Sequence, residues 1–129
     1  MKRKYLIVIA DYYKDISNGL LKNARDILPK SATIKTIIVP GVFEIPVTIS
    51  KNIKKYDGFL ALGCVIKGQT PHFDFISQAS TEAIMKISIE NKKPIGNGII
   101  TCLNMKQAIA RKTKGREAAE AVISVLTQK

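Results

Sequence analysis

Little in this sequence invites a metal ion or a disulfide. Its 129 residues include two cysteines and one histidine, and neither Cys64 nor Cys102 has a cysteine or histidine at ligand spacing. Both lie inside apolar segments, as small buried residues do, so no metal, no disulfide and a reducing cytoplasm are expected. No apolar run approaches the roughly 20 residues that cross a bilayer. The N-terminal MKRKYLIVIADYY returns to charge after an apolar stretch too short for a signal peptide. A soluble, unprocessed cytoplasmic protein with no membrane partner is the expectation. Internal repeats, linkers and low-complexity segments are also missing, and 129 residues suit one core. The chain therefore reads as a single domain over residues 1–129.

What is abundant is positive charge, formally +11, which raises the question of a nucleic-acid partner. The bases are scattered. Lys2 to Lys4, Lys54 with Lys55, and Lys92 with Lys93 fall at element ends or polar faces, with no basic helix and no aromatics interleaved for base stacking. No nucleic-acid partner is expected. Only residues 111–116 (RKTKGR) concentrate four bases in six positions, a density that suits a small anion.

Strand and helix patterns alternate. Residues 4–10 (KYLIVIA) are apolar and β-branched, and Ser17 can cap a following helix in which Leu20, Leu21, Ala24, Ile27 and Leu28 recur at helical spacing. Residues 32–39 (ATIKTIIV) read as a second strand, stopped by Pro40 and Gly41. A helix over about 43–53 follows, with Ile45, Ile49 and Ile53 on one face and Pro46 in its first turn. Residues 59–66 (FLALGCVI) are nearly continuously apolar, as a parallel strand covered on both faces must be. A long helix spans 71–91 with Ile76, Ala79, Ala83, Ile84 and Ile87 inward, and residues 95–103 supply a fourth strand. Residues 105–126 are helical with a break at Gly115. The pattern implies an α/β fold, a three-layer α/β/α sandwich with a four-stranded parallel sheet and right-handed crossovers.

Ligands of such sheets sit beyond the carboxyl ends of the strands. There this chain has Asp11, Tyr12 and Tyr13, then residues 40–44, then residues 67–72. Aromatic rings, one carboxylate, a glycine loop and the only histidine suit a polar planar ligand bearing a phosphate. Thr70 reads as an N-cap and Pro71 as the first helical residue, so His72 stands at the start of the long helix. Free amides of Gly68, Gln69 and Thr70, with the helix dipole behind them, offer an anion cradle. The same field disfavours imidazolium, leaving a neutral base beside a phosphate. Proton abstraction coupled to phosphate loss is the chemistry this suggests. Glu44 at a helix start, one of the two tyrosines, and Asp11 and Asp74 each have ordinary structural uses as well.

The runs VPGVFEIP (39–46) and LGCVIKGQTPHFDF (62–75), followed by NGIIT (97–101) and QAIAR (107–111), resemble the 6,7-dimethyl-8-ribityllumazine synthase family over nearly the whole chain. The resemblance implies a flavodoxin-like strand order 2-1-3-4. It also implies a transferase of riboflavin biosynthesis acting at the penultimate step, without metal or organic cofactor. In that reaction 5-amino-6-(D-ribitylamino)uracil condenses with 3,4-dihydroxy-2-butanone 4-phosphate to give 6,7-dimethyl-8-ribityllumazine, phosphate and water. By matching positions, His72 would transfer the proton, and Gly68, Gln69, Thr70 and Arg111 would hold phosphate. Tyr12 would stack on the pyrimidine. Val42, Val65 and Ile66 would meet its edge, and Phe43 and Glu44 its ribityl chain. Asn97, Arg111 and Arg116 would be donated by an adjacent subunit, because family members are pentamers, some built into larger shells, with sites shared between neighbours.

The chain departs from the family pattern in having Tyr13 for an asparagine, Lys67 for an arginine, Asn97 for an aromatic, and a shorter stretch after Arg111. These departures bear on ribityl contacts and assembly size, and a pentamer is expected over a shell. Among rivals, an archaeal-type riboflavin synthase shares the fold but not the GQTPH loop. A signalling receiver would need an aspartate where the third strand ends in Cys64, Val65 and Ile66. A basic nucleic-acid-binding module rests on composition alone.

Overall fold

Four apolar, β-branched segments form the centre of the molecule. In the computed structural model, which describes residues 2–128, they are strands β1 (Lys4–Ala10), β2 (Thr33–Val39), β3 (Gly58–Ile66) and β4 (Ile95–Cys102). All neighbours pair in parallel, in the order β2-β1-β3-β4. The two inner strands are buried almost throughout, β1 after Lys4 and β3 as far as Val65, because helices cover both faces.

Side chains alternate across the sheet, which creates two cores. Ile7, Ile9, Leu60 and Leu62 pack under helices α1 (Lys14–Ile27) and α5 (Lys114–Leu126) with Leu20, Ala24 and Val122. On the opposite face Leu6, Val8, Phe59 and Ala61 pack with Ile45 and Ile49 of α2 (Ile45–Lys51) and Ile76 and Ile84 of α3 (His72–Asn91). A short α4 (Met105–Ala110) follows β4. The architecture is the α/β/α sandwich expected, in the expected strand order.

Several sequence-based readings need correction. Ser17 is not a cap: α1 begins three residues earlier, and the buried Ser17 hydroxyl donates to Ala10 O at 2.7 Å. The helix expected over 43–53 opens as a 3₁₀ turn (Val42–Glu44) before α2, and Pro46 lies in the first turn of α2, where its missing N–H leaves no bond unmade. On α3, Ala79 is exposed and Ser80 takes the inward place. The helical break lies at residues 111–113, not at Gly115.

Gly115 has a different reason to be glycine. A Cβ there would collide with Leu20 O, and one at Gly96 of β4 with Ala118 O. These two positions let α5 lie directly on α1 and on the sheet. No described helix is long and apolar enough to cross a membrane.

Candidate functional site

The carboxyl ends of β1, β2 and β3 surround a cavity of about 780 Å³. After β1 the chain turns into α1 within three residues, held by the Asp11 amide donating to Val39 O (3.4 Å), Ser17 Oγ to Ala10 O (2.7 Å) and Ser17 N to Tyr13 O (2.9 Å). This turn splits the tyrosine pair. Tyr13 packs against the core beside Cys64, whereas Tyr12 is 75% exposed at the cavity mouth. Their rings meet edge to face, centroids 4.9 Å apart and planes at 83°, a favoured aromatic geometry.

Beyond β2 the 3₁₀ turn is closed by Glu44 N donating to Gly41 O at 3.2 Å. Glu44 Oε1 stands close enough over Gly41 that a Cβ there would meet it at 3.0 Å. Val42 is buried in the wall, and Phe43 is 69% exposed.

From β3 come Cys64, Val65 and Ile66, and the Lys67 amide extends the ladder to Cys102 O at 2.9 Å. The loop then leaves the sheet. Among the described residues, nothing accepts from the amides of Gly68, Gln69 or Thr70. The first turn of α3 begins at His72, one residue later than Thr70 as N-cap implied, yet Thr70 Oγ1 still accepts from His72 N at 3.4 Å. His72, Phe75 and Ile76 all line the cavity, as the spacing i, i+3, i+4 on one helix face requires.

The cavity floor is uncharged. Burial raises the Tyr13 phenol above its usual 10.0, with Tyr12 and Cys64 adding to the effect. Burial likewise pushes the Cys64 thiol from 9.0 up to about 12, with the neighbouring Cys102 adding to the effect. Both cysteines are free and buried.

Thus Tyr12, Val42, Phe43, Glu44, Val65, Ile66 and His72 come together, with Gly68, Gln69 and Thr70 in the adjoining loop. Three other candidates do not join them. Asn97 is exposed on β4, the sheet edge away from β2, its Oδ1 accepting from Ile99 N at 3.0 Å. Arg111 belongs to a separate hollow of about 420 Å³, together with Thr101, Thr113, Lys114 and Glu117. Its Nη1 is 3.5 Å from Thr101 O and 3.9 Å from Cys102 Sγ. Arg116 lines neither and makes an exposed 4.0 Å pair with Glu120. Conversely, Cys64, Phe75 and Ile76 line the cavity without having been candidates from sequence, and Gly41 and Tyr13, which the sequence placed at the ligand edge without a role, line it as well. The register of β3 points Cys64 there, and the helical spacing from His72 was a usable signal for Phe75 and Ile76. No group of three or more His, Cys, Asp or Glu side chains poised to hold a metal ion occurs among the described residues.

A family model for 6,7-dimethyl-8-ribityllumazine synthase matches residues 2–129. The chain belongs to that family. It is 43% identical to the 6,7-dimethyl-8-ribityllumazine synthase of Bartonella tribocorum, with 99% of this chain aligned to 91% of that protein. Against the enzyme of the same name from Agrobacterium fabrum the identity is 41%, over 99% of this chain and 95% of that one. A third, from Methylorubrum extorquens, is 40% identical over 98% of this chain and 80% of its own length. Lumazine synthases of this kind are transferases acting on small molecules, so the mouth lined by Tyr12 and His72 is read below as a substrate site.

Proposed function

We propose that this chain condenses 5-amino-6-(D-ribitylamino)uracil with 3,4-dihydroxy-2-butanone 4-phosphate, forming 6,7-dimethyl-8-ribityllumazine with loss of phosphate and water. The observation that carries the reading is the meeting of an exposed aromatic ring, a carboxylate and the only histidine around one cavity at the strand ends. A bicyclic product needs two reactants held face to face, and orientation alone lowers such barriers substantially.

In this reading Tyr12 covers the planar pyrimidine, while backbone at Val42, Val65 and Ile66 meets its edge. Phe43 and Glu44 receive the polyol, the carboxylate accepting hydroxyl hydrogen bonds. Unpartnered amides of Gly68, Gln69 and Thr70 at the start of α3 suit the phosphate, with the helix dipole adding to the attraction. An amine of the pyrimidine adds to the ketone and loses water, giving an imine. His72 then takes a proton from the adjacent carbon as the phosphate departs, the enol left behind takes up a proton to become a ketone, and the second amine adds to that carbonyl carbon and loses a second water as the ring closes.

We infer further that the working form is a homo-oligomer, a pentamer, whose neighbouring subunit supplies Asn97, Arg111 and Arg116. The separation of these residues from the His72 cavity supports this. So do the apolar side chains left in water at Phe43, Val47, Phe75, Met85 and Ile89, a set that suits burial against another copy. Mixing the protein with both substrates tests the activity. Lumazine absorbance should rise together with free phosphate. Lumazine consumption with riboflavin formation would instead favour a riboflavin synthase.

A further inference from the structure

We propose that Tyr13 is a positioning residue for the pyrimidine: it holds the Tyr12 ring in the orientation that stacks on a neutral planar heterocycle and itself forms the perpendicular side wall. The proposal rests on the reading above in which Tyr12 covers that ring.

Tyr12 is three-quarters exposed, and among the described residues its hydroxyl makes no hydrogen bond and its only ring partner is Tyr13. A side chain so placed would lose rotamer freedom on binding unless a neighbour had already restricted it. Tyr13 is that neighbour and is itself fixed. Its carbonyl accepts from Ser17 N to start α1, and its ring packs on the core cluster that includes Cys64.

The 83° angle between the rings sets what each can do. When Tyr12 lies parallel to a planar ligand, Tyr13 stands across that plane and cannot offer a second stacking face. It bounds the ligand sideways instead. Its phenol and the Cys64 thiol beside it are neutral at physiological pH, burial holding both above their usual values. The wall therefore selects an uncharged heterocycle and gives nothing to the phosphorylated partner.

The experiment is a double-mutant cycle in the full chain: Tyr12→Leu, Tyr13→Leu and the double variant, with Tyr13→Phe as the conservative control. Equilibrium binding of the pyrimidine alone is measured together with KM for each substrate. Loss of the aromatic pair in Tyr13→Leu should weaken pyrimidine binding roughly five- to tenfold. KM for the butanone phosphate should stay within about twofold, and Tyr13→Phe should restore pyrimidine binding. In the Tyr12→Leu background the second change should add less than about twofold, because a positioning residue acts only through the ring it positions. Additive losses, an unaffected Tyr13→Leu, or a Tyr13→Phe as weak as Tyr13→Leu would each overturn the proposal while leaving Tyr12 as the stacking ring. A Tyr12→Leu variant that binds pyrimidine normally would remove the stacking reading itself, and this proposal with it. Far-UV circular dichroism and the thermal midpoint check the fold. If Tyr13→Leu loses its transition, Tyr13→Met, flexible and of similar bulk, takes its place in the cycle.

Discussion

Two hollows of the molecule are complementary, each holding what the other lacks. The cavity at the ends of β1, β2 and β3 is lined mostly by apolar and aromatic side chains and contains His72 and Glu44, but no lysine or arginine lines it. The smaller hollow beside β4 has Arg111 and Lys114 with Thr101 and Thr113, but no aromatic ring and no histidine, and its carboxylate, Glu117, is paired with Lys114. A reaction that joins a planar heterocycle to a phosphate ester needs both sets. In a symmetric ring the exposed β4 side of one copy can face the β2 and β3 ends of the next, a heterologous contact that closes when the rotation is right. In the pentamer proposed above, each chain would therefore hold two complementary half-sites.

The largest expected effect follows from separating those halves. His72→Ala chains should lose roughly a hundredfold in turnover, the low end of what a positioned proton-transfer group supplies, since orienting two substrates provides the rest. The fold should survive, because the His72 side chain is exposed. Full turnover after subtraction of the uncatalysed condensation would remove its role. Arg111→Ala should raise KM for the phosphorylated substrate about tenfold, the scale of one lost charged hydrogen bond, and leave KM for the pyrimidine nearly unchanged. Equal changes would detach Arg111 from phosphate.

Co-refolding the two variants in equal amounts then tests the comparison directly. If each site takes His72 from one chain and Arg111 from its neighbour, about a quarter of the sites in random mixed rings have both residues, and activity returns. If both residues served one site within one chain, mixing would restore nothing.

Much of this was legible before any coordinates, and the reason differs by region. β1 and β3 declare themselves because a parallel strand buried on both faces tolerates almost no polar residue. The GQTPH loop declares itself because proline, glycine and a hydroxyl mark a helix start. Ser17 misled because a serine before an apolar helical face has the composition of a cap, whereas its hydroxyl is used by Ala10 O. Gly115 misled similarly: glycine marks a break by its backbone freedom, but here it serves the contact with Leu20. Such a close approach is invisible without the partner helix. Tyr13 could not be told from Tyr12 because neighbouring positions in a three-residue turn have no periodicity to assign them.

The contact at Gly115 yields a prediction about the scaffold under the basic hollow. Gly115→Ala forces α5 away from α1 and should destabilise the fold by about 1–3 kcal/mol, the usual range for overpacking, read as a lower denaturation midpoint. Because Thr113 and Lys114 ride on the same segment, KM for the phosphorylated substrate should rise with it while pyrimidine binding holds. A loss confined to the pyrimidine would reverse the assignment of the two hollows.

The smallest effect concerns what lies between them. Cys64 lines the large cavity, Cys102 lies near it in the same buried cluster, and Cys102 Sγ is 3.9 Å from Arg111 Nη1. The two cysteines thus stand between the large cavity and the Arg111 guanidinium. Folding raises the Cys64 value from 9.0 to about 12, so the folded protein keeps a proton that the unfolded chain releases. The stability this represents is complete below pH 9 and is lost as the pH rises through 12. Tyr13, raised above 10.0 by its own burial, adds in the same direction at the upper end of that window. The thermal midpoint of the wild type should accordingly be flat up to pH 9 and fall beyond it. Cys64→Ala should begin from a somewhat lower midpoint, having lost buried volume, but fall less steeply over the alkaline range. Parallel curves would mean that folding leaves the Cys64 thiol unshifted, so that it ionises in the folded protein as readily as in the unfolded chain. The floor of the large cavity would then become charged above pH 9, and an uncharged wall could not be what that cavity offers a heterocycle at alkaline pH.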